Sequence, residues 1–228
     1  MATFRDREDA GAQLAAALSE HASDPDVVVL ALPRGGVPVG YEIATRLGVP
    51  LDVLVVRKLG VPGHEELAMG AIASGDAEVI DPRITAALGI TRDVIDRVAA
   101  HERIELARRE RLFRGDRPPL DVRGKTAIVV DDGLATGSTM SVAIDATRGR
   151  GAARVACAVP VGPPEACEAM ARRADEAICL ESPEWLYAVG QAYDDFTQVS
   201  DEEVRALLDR APRKSWRSKS TSRSVASS

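Results

Sequence analysis

The sequence predicts an α/β fold: a mostly parallel central sheet with helices on both faces. Three observations carry that prediction. Apolar, largely β-branched runs of strand length recur at 27–32, 51–56, 126–130, 154–159 and 176–180. They are continuous rather than alternating, as strands covered on both faces require. Helix-like segments separate them almost throughout, and strand–helix alternation of this kind builds a parallel sheet with crossover helices.

The elements follow in order. Asp9 to Ser19 is the first helix candidate, with small and apolar residues on one face. Val27 to Leu32 is the first strand and runs into the turn Pro33-Arg34-Gly35-Gly36. A helix over about 37–47 is closed by Gly48 and Pro50, residues that end helices. Leu51 to Val56 is the second strand and ends in Arg57-Lys58. Leu59 to Gly75 carries four glycines and Pro62, and is expected to be a mobile loop leading into a short strand near Ala71. Glu78 to Ile80 can pair with that strand. Arg92 to Phe113 reads as a long amphipathic helix with Thr91 as its N-cap, broken at Arg117-Pro118-Pro119. Thr126 to Val130 is the third strand, with its helix over 138–150. Arg154 to Val159 is the fourth, followed by a helix to about Arg172, and Glu176 to Leu180 is a short fifth. Ser200 and Glu203 have capping-box spacing and open a final helix.

Composition sets the outer limits. With 228 residues, 45% hydrophobic and 28% charged, the chain suits one folded domain that needs no metal or disulfide staples. Cys157, Cys167 and Cys179 are odd in number, lack metal-ligand spacing and sit among apolar residues, so buried reduced thiols are expected. The polar start and the absence of any ~20-residue apolar run point to a soluble, cytoplasmic protein. The formal charge is −6, but residues 212–228 hold five basic and no acidic residues, so the body carries 24 basic against 35 acidic residues. An acidic body argues against general nucleic-acid binding. The division is therefore a folded domain over 1–211 and a Ser/Arg/Lys-rich, disordered tail over 212–228.

Ligands of open parallel sheets bind beyond the carboxyl ends of the strands. Here those ends read Pro33-Arg34-Gly35-Gly36, Arg57-Lys58, Asp131-Asp132-Gly133 and Pro160-Val161-Gly162. The third is the sharpest. In Ile128-Val-Val-Asp-Asp-Gly-Leu-Ala-Thr-Gly-Ser-Thr-Met140 two carboxylates end an apolar strand, and a loop of small residues enters a helix N-terminus. Residues Thr136 to Thr139 can offer backbone N–H groups and hydroxyls to a phosphate, and the helix dipole favours the anion. No Lys follows Gly137, which excludes a Walker-type loop, and no Gly-x-Gly-x-x-Gly is present. Carboxylates beside a phosphate site suit sugar hydroxyls, which are donors.

This segment resembles the phosphoribosyl-pyrophosphate motif of type I phosphoribosyltransferases: four apolar residues, two acidic residues, then a Thr/Gly/Ser loop. The resemblance extends over roughly Pro25 to Asp195. It implies that Asp131 and Asp132 bind the ribose hydroxyls, and that Ala135, Thr136, Gly137, Ser138 and Thr139 cradle the 5′-phosphate. Pro33-Arg34-Gly35-Gly36 is similar to the family's pyrophosphate loop; an ordinary Gly-Gly turn with a solvated Arg34 is the plainer alternative. Arg57-Lys58-Leu-Gly resembles a stretch of adenine-type members that leads into a flexible lid, where cations balance charge on departing pyrophosphate; both residues could equally be surface charges. His64, Glu65 and Glu66 fall on that lid. Val189-Gly-Gln-Ala-Tyr-Asp-Asp-Phe196 is reminiscent of the small C-terminal hood of hypoxanthine-type members. Tyr193 and Phe196 are candidates to stack on a base there, near Trp185 and Tyr187, with a local apolar minicore as the other reading.

The function so implied is transfer of 5-phosphoribosyl from phosphoribosyl pyrophosphate to a nucleobase-like nitrogen acceptor, with Mg²⁺ and release of pyrophosphate. No protein metal site is expected, since Mg²⁺ is usually held by substrate oxygens and water. A homo-oligomer is compatible with this reading. Hypoxanthine-type members carry an acidic residue where this chain has Ala135, while adenine-type members also have Ala. That departure leaves the acceptor open, and with it a non-catalytic regulatory domain using the same pocket.

Overall fold

The computed structural model describes residues 3–75 and 77–212. The proposed tail, apart from Pro212, lies outside them. In chain order the elements are α1 (Arg7–Ala17), β1 (Val27–Ala31), α2 (Gly36–Leu47), β2 (Leu51–Val53), β3 (Val56–Val61), β4 (His64–Ala73), β5 (Ala77–Ile80), α3 (Pro82–Ala87), α4 (Arg92–Arg114), β6 (Thr126–Val130), α5 (Ser138–Gly149), β7 (Arg154–Val161), α6 (Pro164–Arg173), β8 (Glu176–Glu181) and α7 (Asp201–Arg210). The central sheet has the order β2-β1-β6-β7-β8 and every pairing in it is parallel. The predicted fold class is therefore the observed one.

Pleating explains why the strand sequences are apolar throughout. Successive side chains point to opposite faces. Val27, Val29, Ala31, Ile128, Val130, Ala156 and Ala158 join one core with Leu14 of α1, Ile43 of α2, Phe113 of α4 and Leu208 of α7. Val28, Leu30, Ala127, Val129, Val155, Cys157 and Val159 join a second core with Met140 and Ile144 of α5 and Met170 of α6. Each face needs its own apolar set, so alternation disappears.

Helix ends follow local chemistry. Asp6 caps α1 by accepting from the Asp9 N–H at 2.8 Å, satisfying one of the donors a helix start leaves open. Gly48 ends α2 with φ 69°, a left-handed conformation that glycine adopts without a Cβ clash. Ser200 caps α7 through the Glu203 N–H at 3.1 Å. Thr91 stands at the N-cap of α4 but its side chain makes no capping bond.

Three expectations require correction. The run 51–56 is not one strand: β2 ends at Val53, and Val56 opens a separate antiparallel sheet of order β3-β4-β5. Arg57 and Lys58 therefore lie inside β3, opposite Ile72 and Ala71. Most of the expected loop 59–75 belongs to the hairpin β3–β4, turning at Pro62-Gly63, where Gly63 has φ 80°. The third concerns the thiols. Cys167 and Cys179 are joined as a disulfide linking α6 to β8, with Cα atoms 6.1 Å apart, while Cys157 is free and buried as expected. Helix α3 has no counterpart among the sequence-based elements; Asp81 caps it through the Arg83 N–H at 2.9 Å. Among the described residues no helix is long and apolar enough to cross a membrane.

Candidate active site

Strand β6 delivers Asp131 and Asp132 to its carboxyl end, next to β1, whose continuation is the 33–36 turn. The two segments are locked together: the Leu32 N–H donates to the Val130 carbonyl at 2.8 Å. A Cβ on Gly36 would lie 2.7 Å from the Val130 carbonyl oxygen and 2.9 Å from the Asp131 Cα. One on Gly35 would lie 2.5 Å from the Asp132 carboxyl carbon. Only glycine lets the turn settle onto the acidic pair. The Pro33–Arg34 peptide is cis.

The two carboxylates have different surroundings. Asp131 Oδ1 accepts from the Asp132 N–H at 2.9 Å. Burial lifts the Asp131 carboxyl well above the ordinary carboxylate range, and the neighbouring Asp132 charge adds to that. Asp132 Oδ2 accepts from Arg7 Nε at 2.8 Å. The Tyr193 hydroxyl donates to the Asp132 main-chain carbonyl at 2.6 Å, and burial raises that phenol too.

Beyond the pair the chain turns through 133–137 into α5. A Cβ on Gly133 would meet the Val189 side chain at 2.5 Å, so the turn is pressed against the hood segment. The Leu134 N–H donates to the Val161 carbonyl at 2.8 Å, which ties the turn to the end of β7. Gly137 has φ 72° and precedes the first residue of α5. Ala135, Thr136, Ser138 and Thr139 line the exposed mouth of this turn, and Thr136 Oγ1 lies 2.8 Å from Ser138 Oγ. The positive end of a helix with two hydroxyls beside it favours an anion, although the Ser138 N–H already donates to Thr136 Oγ1 at 3.4 Å.

A cleft of about 380 Å³ is lined by Arg7, Arg34, Gly35, Asp132, Phe196 and Gln198. It unites four of the expected residues: Arg34, Gly35, Asp132 and Phe196. Arg34 Nη1 lies 3.6 Å from Asp201 of α7. Arg57 instead binds Glu102 of α4, at 2.8 Å through Nε and 2.6 Å through Nη2, and Lys58 is exposed on β3. Neither is among the residues lining this cleft.

For the aromatic cluster the structure separates the two readings. Tyr193 is only 5% exposed and packs between Phe4 and Phe196, with ring centroids 5.5 and 5.0 Å away. With Phe4, Ala10, Val161 and Ala192 it forms a third, small core. The minicore reading therefore holds for Tyr193, which offers no free ring face to a base. Phe196 is 37% exposed and carries the Arg7 guanidinium 3.9 Å above its centroid. Trp185 and Tyr187 point into solvent. Arg7 itself has no signal in the sequence beyond a charge in the first helical turn; its partner Asp132 is 125 residues away.

A phosphoribosyl transferase domain model matches residues 3–197. A Mycobacterium tuberculosis protein named "Putative phosphoribosyl transferase Rv0571c" is 48% identical over 213 residues, covering 93% of this chain and 48% of its own length. The chain thus spans about half the length of the curated relatives it matches. The crystal structure of TT1426 from Thermus thermophilus is 44% identical, with a TM-score of 0.81 over 91% of this chain and 98% of that one. The acidic strand end, the Thr/Gly/Ser turn and the glycine turn stacked on it all lie within the matched region. The chain belongs to the phosphoribosyl transferase domain family.

Proposed function

We propose that the chain transfers a 5-phosphoribosyl group from phosphoribosyl pyrophosphate to a nitrogen acceptor, releasing pyrophosphate. One observation carries this reading: the turn 33–36 sits directly on Asp131-Asp132, whose own turn opens onto the N-terminus of α5. Three subsites for one ligand then adjoin. Thr136 to Thr139 hold the 5′-phosphate, the carboxylates accept from ribose hydroxyls, and the Arg34–Gly36 turn faces the diphosphate. Family membership supports the reaction class; nothing in it selects the acceptor.

On this reading Mg²⁺ is brought by the donor. A divalent ion held by diphosphate oxygens and water would neutralise the leaving group. The chain's own contribution is positioning. It fixes sugar and phosphate so that the anomeric carbon is presented in one orientation while charge develops on the ring and the diphosphate. Arg34 can assist the diphosphate if it leaves Asp201. Arg57 and Lys58 could take part only if β3 and β4 approach the cleft and Arg57 releases Glu102.

Calorimetry with phosphoribosyl pyrophosphate and Mg²⁺, followed by pyrophosphate release across a panel of nucleobases and other nitrogen acceptors, tests this. Tight binding and release with at least one acceptor are expected. Binding without release for any acceptor identifies a regulatory domain, and absence of donor binding overturns the reading.

A further inference from the structure

The N-terminal segment is built into the candidate site. The Phe4 N–H donates to the Ala192 carbonyl at 2.9 Å, and the Asp194 and Asp195 N–H groups donate back to Phe4 and Arg5 at 2.9 and 2.8 Å. This strap sets the start of α1 beside the acidic pair. Arg7, the first residue of α1, then reaches inward with a side chain only 11% exposed. Its three contacts come from three directions: Nε to Asp132 Oδ2 at 2.8 Å, Nη1 to the Thr197 carbonyl at 2.8 Å, and the guanidinium face over Phe196 at 3.9 Å.

Resting on the sugar-phosphate reading of this site, we propose that Arg7 is a positioning residue: it fixes Asp132 by one carboxylate oxygen and leaves the other for a sugar hydroxyl. Among the described residues no N–H group donates to Asp132 Oδ1, while Oδ2 is committed to Arg7; the other side-chain neighbour of the Asp132 carboxylate is the Asp131 carboxyl, whose proton a sugar hydroxyl would replace. A carboxylate gripped on one oxygen by a buried, stacked guanidinium has lost its rotational freedom before ligand arrives. The remaining oxygen is then presented in one direction.

Charge supports the same role. Two adjacent, half-buried carboxylates tend to share a proton. Arg7 acts against this, lowering the Asp131 carboxyl while burial and Asp132 raise it. The other groups around the pair do not replace it. Arg34, on the 33–36 turn, is paired with Asp201 of α7. Tyr193 on the hood and Cys157 on β7 are kept neutral, the thiol being pushed up to about 12 by burial. Asp195 on the hood is negative and held low by its bonds to Thr197. Among the described residues the Arg7 guanidinium is the cation in contact with the acidic pair.

The sign follows. Without that cation the pair takes up a proton at higher pH, and a protonated pair accepts fewer hydroxyl hydrogen bonds. Arg7→Gln should therefore move the acid limb of ribose 5-phosphate binding upward by roughly one pH unit or more, the scale of an opposite charge at this distance. Arg7→Lys should restore that limb while recovering only part of the affinity, because lysine lacks the planar fork.

The experiment is calorimetric titration of wild type, Arg7→Gln and Arg7→Lys with ribose 5-phosphate from pH 5 to 8. The ¹³C carboxyl titration of Asp131 and Asp132 is recorded on the same ligand-free proteins, with thermal melts as a folding control. An upward shift in both titrations for Arg7→Gln, reversed in Arg7→Lys, is the expected result. Unchanged titrations with a lowered melting temperature would make Arg7 a structural clamp between α1 and the hood, and overturn the inference. An upward carboxyl shift in Arg7→Gln, with a wild type that binds neither ribose 5-phosphate nor phosphoribosyl pyrophosphate at any pH, overturns the sugar role and the proposed function together. Donor binding with unshifted carboxyls removes the inference alone. If Arg7→Gln fails to fold, the Arg7→Lys and wild-type titrations still decide: an acid limb that differs between these two equally charged side chains overturns it.

Discussion

At the scale of single residues the site depends on where a Cβ can be placed. A Cβ on Gly36 would collide with main-chain atoms of Val130 and Asp131, which cannot swing aside. Gly36→Ala should thus cost about 1–3 kcal/mol of stability, the range for overpacking, measured by urea unfolding. At Gly35 the obstacle is the Asp132 side chain, which can move, but only by leaving Arg7. Gly35→Ala should then keep most of the stability and lose about tenfold in affinity for phosphoribosyl pyrophosphate, roughly 1.4 kcal/mol. Equal stability losses for the two variants would contradict this distinction. These glycines and the motif 128–140 are legible because local chemistry announces them: a turn, a strand end and a helix start lie within a few residues of one another. Arg7 is not. Its meaning comes from a partner 125 residues away, and one arginine among many charges carries no local mark.

At the scale of elements the strands and long helices can be located from sequence, but the chain after β2 is misread. A continuous apolar run from Leu51 to Val56 shows no break, since residues 51–55 are all buried whichever sheet claims them. What separates the two sheets is tertiary. Asp52 on edge strand β2 is buried and accepts from Arg114 Nε at 3.0 Å and from the Leu120 N–H at 3.0 Å, while Arg114 also binds the Val53 carbonyl at 3.1 Å. The end of α4 therefore covers the free edge of β2, and the strand after it must pair elsewhere. Arg114→Met would strand a buried carboxylate and should cost about 3–5 kcal/mol, whereas Asp52→Leu combined with Arg114→Met should recover much of that, read from denaturant midpoints. The hairpin β3–β4 changes the motion expected of a lid. Met69 to Ala73 are largely buried and hydrogen-bonded on both sides, whereas His64 to Leu67 are exposed near the turn. Hydrogen exchange should be fast over 62–67 and slow over 69–73 in the free protein, and phosphoribosyl pyrophosphate with Mg²⁺ should slow the tip alone. Fast exchange along the whole of 59–75 would restore the flexible-loop reading.

At the scale of the whole molecule the sheet is asymmetric. One edge, β2, is shielded by α4, and the other, β8, is half-exposed along its length and follows α6 directly. The Cys167–Cys179 disulfide ties that helix to that edge. Odd cysteine number and apolar surroundings conceal the pairing in sequence, because a 12-residue separation acquires meaning only once α6 is known to fold back on β8. The link reaches toward the turn that opens α5: a Cβ on Gly137 would touch the Met170 side chain at 3.2 Å and the Ala166 Cβ at 3.7 Å, both on α6. Crosslinks closing loops of about this size contribute roughly 3 kcal/mol. For a domain of this length each 1 kcal/mol corresponds to about 2–4 °C of melting temperature. A reductant should therefore lower the melting temperature of the wild type by about 6–12 °C and leave Cys167→Ser/Cys179→Ser unmoved. Thiol counting separates this from general sensitivity to reductant. The native oxidised protein should take up no iodoacetamide, since Cys157 is buried with its thiol pushed up to about 12 and stays protonated at pH 8. Reduction should expose two reactive thiols, and only unfolding should yield the third. Two labels on the untreated native protein, with a melting temperature indifferent to reductant, would show Cys167 and Cys179 to be free thiols, and α6 would then be held to β8 by packing alone.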